Sequence, residues 1–168
     1  VSSMQAALVY QPDTVLIGIA PSGGKLPPEL KTEIAIAIKA GLSVINGLHT
    51  LLQPLFTTLQ PHQEIWDLRQ EPADLTIGKG QARYLTARRI LTVGTDMAIG
   101  KMSTSLELHR AAIAQGKKAQ FIATGQAGIA IAGQGIALDA VRIDFAAGAV
   151  EKAVIEQGIN QDLIIIEG

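Results

Sequence analysis

The stretch Gly94-Thr95-Asp96-Met97-Ala98-Ile99-Gly100-Lys101-Met102-Ser103-Thr104 constrains this chain more than any other. It follows a short apolar run, Ile90-Leu91-Thr92-Val93, and opens a segment, Lys101 to Gln115, that reads as a helix. Strand, glycine-bearing loop, Lys and helix start are the parts of a phosphate cradle. Glycines let the backbone curl so that N–H groups point inward, while the Lys and the helix N-terminus supply positive charge. The dipole adds about 0.3–1 kcal/mol, and a charge-assisted hydrogen bond from Lys101 to phosphate roughly 1.5–3 kcal/mol. The spelling departs from the common one. One extra residue separates Gly94 from Gly100, and Met102 stands where a Mg²⁺-binding Ser or Thr normally follows the Lys. Ser103 and Thr104 carry first-turn hydroxyls that could replace it. Gly94, Thr95, Ala98, Ile99, Gly100, Lys101, Met102, Ser103 and Thr104 are therefore the candidate phosphate-binding residues.

Composition sets the bounds. Of 168 residues, 48% are hydrophobic and 17% charged, which fits a core-rich globular protein rather than a disordered one. A net charge of −1 and 4% aromatics argue against a nucleic-acid surface, an anionic-membrane surface or a base-stacking platform. With no cysteine, disulfides, thiolate metal sites and Cys nucleophiles are excluded, which fits a cytoplasmic protein. No apolar run reaches membrane-spanning length. The chain starts at Val1 and stops just after the apolar run Leu163–Ile166, a strand that wants neighbours on both sides, so it reads as part of a longer protein.

The pattern along the chain is α/β. Thr14–Ala20 is a continuous apolar run, the mark of a buried parallel strand, followed by the loop Pro21-Ser22-Gly23-Gly24-Lys25. A helix is predicted from Pro27 or Pro28, with Leu30, Ile34 and Ile38 on one face and Gly41 as its stop. Leu42 to Ile45 is the next strand, 50–59 a short helix and Glu64 to Leu68 a third strand. The least apolar region, Arg69 to Arg83, holds the junction, giving a first domain over 1–88 and a second over 89–168. In the second, strands are predicted at Ile90–Val93, Ala119–Ala123 and Leu163–Ile166. Helices are predicted at Lys101–Gln115 and, capped by Asp144, at Phe145–Gln157. The stretch from Thr124 to Gly135 reads as a glycine-rich connection.

Further candidates lie at strand ends, where α/β proteins bind ligands. Thr124, Gly125 and Gln126 offer a hydroxyl, a backbone approach and an amide for a polar substrate. Glu167 could bind an amine, hold Mg²⁺ or act as a general base. Asp96 either faces a metal or a second substrate, or is a turn-forming Asp bonded to its own backbone. Lys25 could serve an anionic ligand. His49, His62 and His109 show no metal-ligand spacing, so no metal site is expected. His109 reads as a packing or surface residue. Arg142 is flanked by Asp139 and Asp144 as a local ion-pair group.

In order along nearly the whole chain, the segments Gly18–Pro27, Asn46-Gly47-Leu48-His49, Val93–Asp96 with Gly100–Ser103, Ala123–Gly128, Asp144-Phe145 with Gly148 and Glu151, and Ile165–Gly168 carry a resemblance. The chain resembles the two-domain family of formerly uncharacterised proteins that includes a D-glutamate N-acetyltransferase. Met102 belongs to that family's own pattern. The resemblance implies a Rossmann-like parallel-sheet N-terminal domain followed by a P-loop NTPase-like parallel-sheet domain, both incomplete here. The P-loop half is also similar to dethiobiotin synthetase, whose loop likewise carries Gly-Thr-Asp before Gly-Lys and whose strand likewise ends in Glu-Gly.

Three functions follow as expectations. In an N-acetyltransferase, Gly94–Thr104 would grip a phosphate of acetyl-CoA. Lys25, Thr124, Gly125 and Gln126 would bind a D-amino acid such as D-glutamate, and Asp96 or Glu167 would take the proton of its ammonium group. In an ATP-dependent kinase or ligase, Ser103 or Thr104 would hold Mg²⁺ with Asp96 or Glu167. A non-catalytic nucleotide-binding module would bind without turnover. A small-molecule substrate and a homo-oligomeric assembly complete the expectations, with no nucleic-acid or membrane partner.

Overall fold

A computed structural model describes residues 2–19, 21 and 25–168. It forms two compact units, 1–70 and 71–168, each with its own parallel sheet and core. The expected loop 21–25 falls partly outside the described residues, at 22–24, as does Ala20 at the end of the predicted first strand.

The first unit begins with one helical turn, α1 (Met4–Ala7), whose first N–H groups are met by Ser3 Oγ and by Glu33 Oε2. Strands β1 (Thr14–Ile17), β2 (Ser43–Asn46) and β3 (Ile65–Asp67) then pair in parallel in that order. Between β1 and β2 runs α2 (Pro28–Lys39), with Pro28 in its first turn and Gly41 at φ +96° just beyond its end. The predicted face buries Ile34 and Ile38 against Ile17, Val44, Leu48, Leu52 and Ile65, with Leu30 beside them. Each side chain of this kind contributes about 1.5–3 kcal/mol on burial.

The helix expected over 50–59 does not form. Pro54 has no N–H to give the Thr50 carbonyl, which instead accepts from Asn46 Nδ2 at 2.9 Å. The N–H groups of Leu52 and Gln53 go to the buried Asp67 carboxylate at 2.9–3.0 Å, which also takes Asn46 Nδ2 at 2.7 Å. The segment is a loop shaped by β2 and β3, with one turn at 52–56.

In the second unit β4 (Arg88–Leu91), β5 (Ala119–Ile122) and β6 (Leu163–Ile166) form a parallel sheet in the order β4-β6-β5. Helix α3 (Lys101–Ala114) links β4 to β5, and α5 (Ile143–Gly158) precedes β6. Ile164 and Ile165 on the central strand are fully buried. The core adds Ala87, Ile122, Ile136, Val141, Ala149, Ala153 and Val154. Residues 71–88, given to the first domain by the sequence, lie in the second unit: Leu75, Ala82 and Leu85 pack against this core. The composition dip marked the linker but not its end, because sparse apolar side chains there still find the helix.

Polar contacts complete that attachment. Glu151 on α5 receives the backbone N–H groups of Lys79 at 2.5 Å and Ala82 at 3.2 Å, and the Lys79 bond foremost holds its carboxyl below the ordinary range. Asp74 pairs with Lys152. Arg142 pairs with Glu71 through its backbone N–H and its Nε, both at 3.0 Å, a partner the sequence did not suggest. Asp144 sits within the first turn of α5 instead of capping it, since the helix starts at Ile143, two residues earlier than expected.

The strand expected at 90–93 lies two residues earlier. Its register, Arg88 opposite Leu163 through Leu91 opposite Ile166, is set by β6, and every residue of β4 is exposed, so the arginines meet no burial penalty. The connection after β5 contains a helix, α4 (Gln126–Ala132), which its glycines disguised.

Candidate functional site

Both phosphate-loop ends and the Glu167 strand end lie at the carboxyl edge of the second sheet. The loop leaves β4 through Thr92 and Val93 and enters α3 at Lys101. Gly100 caps the helix at φ +95°, a conformation that only glycine adopts without strain. Ala98 also has positive φ, +53°, so two of the three residues before Lys101 curl left-handed. Lys101 Nζ donates to the Asp96 carbonyl at 2.7 Å, across the loop. Asp96 is exposed, and its Oδ1 accepts the N–H of Met97 at 2.7 Å, the local turn bond that was one of its two readings. Thr95, Ile99, Ser103 and Thr104 are exposed, and Met102 is half-buried.

The second cluster centres on Glu167. Its Oε2 accepts the N–H groups of Thr124 at 3.0 Å and Gly125 at 3.3 Å, while Thr124 Oγ1 donates to the Glu167 carbonyl at 3.1 Å. Helix α4 passes so close that a side chain at Gly128 would strike this carboxylate. Thr124 and Gly125 therefore aim their donors at Glu167, and Gln126, the half-buried first residue of α4, is the group of that trio with a side chain left to meet a ligand. Lys25 lies in the first unit, exposed just ahead of α2. Its neighbour Leu26 donates its N–H to Thr50 Oγ1 at 3.2 Å.

Two residues not singled out from sequence stand beneath the loop. Thr92 and Ser105 are buried, and their hydroxyls meet at 2.9 Å. The signal was available in part: Ser105 is one turn after Lys101 on the same helix. His109 packs in the same helix against Phe121, its Nε2 3.1 Å from the Ala119 carbonyl, as the sequence reading had it.

Comparison with known proteins agrees with this division. The P-loop domain model of the DUF1611 family (DUF1611_C) matches residues 76–168. Its Rossmann-like N-terminal domain model (DUF1611_N) matches residues 1–71. A solved DUF1611 family protein from Anabaena variabilis ATCC 29413 superimposes with a TM-score of 0.94 at 56% identity, over 100% of this chain and 50% of that one. A D-glutamate N-acetyltransferase of a Pseudoalteromonas species is 41% identical over 142 residues, 82% of this chain and 42% of that protein. One from Tritonibacter scottomollicae is 39% identical over the same share. The chain thus spans under half the length of these curated relatives. With both domain models in order and a matching fold along its length, the chain belongs to the DUF1611 family.

Proposed function

We propose that this chain carries the phosphate grip and part of the acceptor edge of an N-acetyltransferase, one that moves an acetyl group from acetyl-CoA to the amine of a D-amino acid such as D-glutamate. One observation carries the choice of donor. The curled backbone and Lys101 are present, yet Met102 replaces the hydroxyl that would hold Mg²⁺, and the nearby Asp96 and Glu167 carboxylates already receive backbone N–H groups. Such a loop suits a phosphate without a metal. The names of the relatives point the same way.

In this reading Lys101 leaves the Asp96 carbonyl and meets a phosphate of CoA, with the first N–H groups of α3 beside it. The acceptor lies along the edge at Gln126, one of its carboxylates drawn to the Gln126 amide. Glu167 is the better placed base, because two backbone N–H groups hold it in one orientation. It removes one proton from the ammonium, the amine nitrogen attacks the thioester carbonyl, the C–S bond breaks, and the second proton shed by the nitrogen passes to the departing sulfur, giving the N-acetyl amide and CoA thiol.

The test uses the full-length protein. Acetyl-CoA at a hundredfold excess over its dissociation constant should stabilise it by about 2.7 kcal/mol, without Mg²⁺, and D-glutamate should elicit thiol release. Stabilisation by Mg²⁺–ATP with none by acetyl-CoA would transfer the assignment to a kinase or ligase using Ser103 or Thr104. Binding without turnover of any D-amino acid would leave a nucleotide-binding module.

A further inference from the structure

The phosphate loop and the Glu167 edge are separate in sequence but joined by one hydroxyl. Thr92 Oγ1 lies 2.9 Å from Ser105 Oγ on α3 and 3.4 Å from the Ile166 carbonyl on β6, and it accepts the N–H of Gly168 at 3.3 Å. A hydroxyl has one proton and two lone pairs. With Thr92 donating to Ile166 and accepting from Ser105 and Gly168, all three are used. The Thr92 N–H also donates to the Ile166 carbonyl at 3.1 Å. Glu167, between those two partners, donates its N–H to Ile122 at 3.0 Å and holds the Thr124 and Gly125 N–H groups. Ser105 is one turn beyond Lys101 on the same helix. A continuous chain therefore runs from the helix behind the loop, through Thr92, to the start of α4.

The geometry points to Thr92 as a positioning residue that sets α3, and with it Lys101 and the loop backbone, against the Glu167–Gln126 edge. The Thr92 hydroxyl touches no ligand itself. Its loss lets α3 and the β6 end shift independently, weakening the phosphate grip and the acceptor edge together. This rests on the reading of Gly94–Thr104 as a phosphate site, and its strongest test needs no acetyl transfer.

Full-length protein would be compared with Thr92→Val and Thr92→Ser for affinity toward inorganic pyrophosphate, well below the melting temperature, and for the KM of D-glutamate at saturating acetyl-CoA. Thr92→Val should weaken pyrophosphate binding and raise that KM, each by about tenfold, the worth of one well-placed hydrogen bond. Thr92→Ser, which restores the hydroxyl, should recover both. Unchanged pyrophosphate affinity in Thr92→Val, a lowered melting temperature alone, failure of Thr92→Ser to recover affinity, or no pyrophosphate binding by the unaltered protein would each overturn the inference. An unaltered protein that binds pyrophosphate without transferring acetyl groups refutes the acetyltransferase reading alone, and the pyrophosphate arm still decides the role of Thr92.

Discussion

Lys101 bridges the loop from the inside, its ammonium on the Asp96 carbonyl at 2.7 Å, and in the proposed function a phosphate oxygen of higher charge takes that carbonyl's place. Lys101→Ala should raise the KM for acetyl-CoA by about 10–100-fold, the equivalent of one charge-assisted hydrogen bond, in a thiol-release assay on the full-length protein. The residues beneath it carry stability. Thr92→Val leaves the Ser105 hydroxyl and the Gly168 N–H without their partner, and should lower unfolding free energy by about 1–3 kcal/mol in urea titration. Lys101 and Met102 were legible because a motif fixes their place by spacing. Thr92 and Ser105 were not, because a hydroxyl in an apolar strand or a helix looks alike whether buried or solvated.

At the scale of elements, the loop after β2 depends on one carboxylate. Asp67→Ala would remove one of the two acceptors of the Asn46 amide and leave the N–H groups of Leu52 and Gln53 without theirs, with an expected loss of about 3 kcal/mol measured by chemical denaturation. Segment 71–82 depends on α5 through Glu71, Asp74 and Glu151, and all three carboxyls are lowered from their ordinary values by hydrogen bonds, chiefly from Arg142, Lys152 and the Lys79 N–H respectively. A lowered folded pKa means that the unfolded chain binds the proton more readily. This stabilisation is full above about pH 4.3, the ordinary glutamate value, and is lost as pH falls through the lowered folded values. Proteolysis near Lys79 should accelerate on acidification below that point, and Glu151→Gln should be cut faster already at neutral pH. The helices α2, α3 and α5 were legible from periodicity and stops. The helix expected over 50–59 failed because Asp67, distant in sequence, claims its N–H groups, and α4 was hidden because Gly128, which makes room for Glu167, sits between the flanking Gly125 and Gly133.

The whole molecule consists of two units, each with its own sheet and core. Trp66, the single tryptophan, lies in β3 of the first unit and reports on it alone by fluorescence. Asp67→Ala should shift the fluorescence transition, while Ser105→Ala should leave it in place and speed amide exchange in α3 and β4 of the second unit. Equal shifts of the fluorescence transition by both variants would refute independent unfolding.

The sequence by itself determined the class of fold and the strand–glycine loop–helix order around Lys101. Apolar runs of strand length, alternating with helical periodicity, can be buried only as a parallel α/β arrangement, and glycine, Lys and helix start act within a few residues of one another. The tertiary structure decided where β4 begins, where the units divide, which donors Thr124 and Gly125 commit to Glu167, and that the Thr92 hydroxyl links α3 to the end of β6. Those outcomes depend on partners far along the chain, brought to hydrogen-bonding distance only when the sheet registers are set, and no local pattern encodes such a distance.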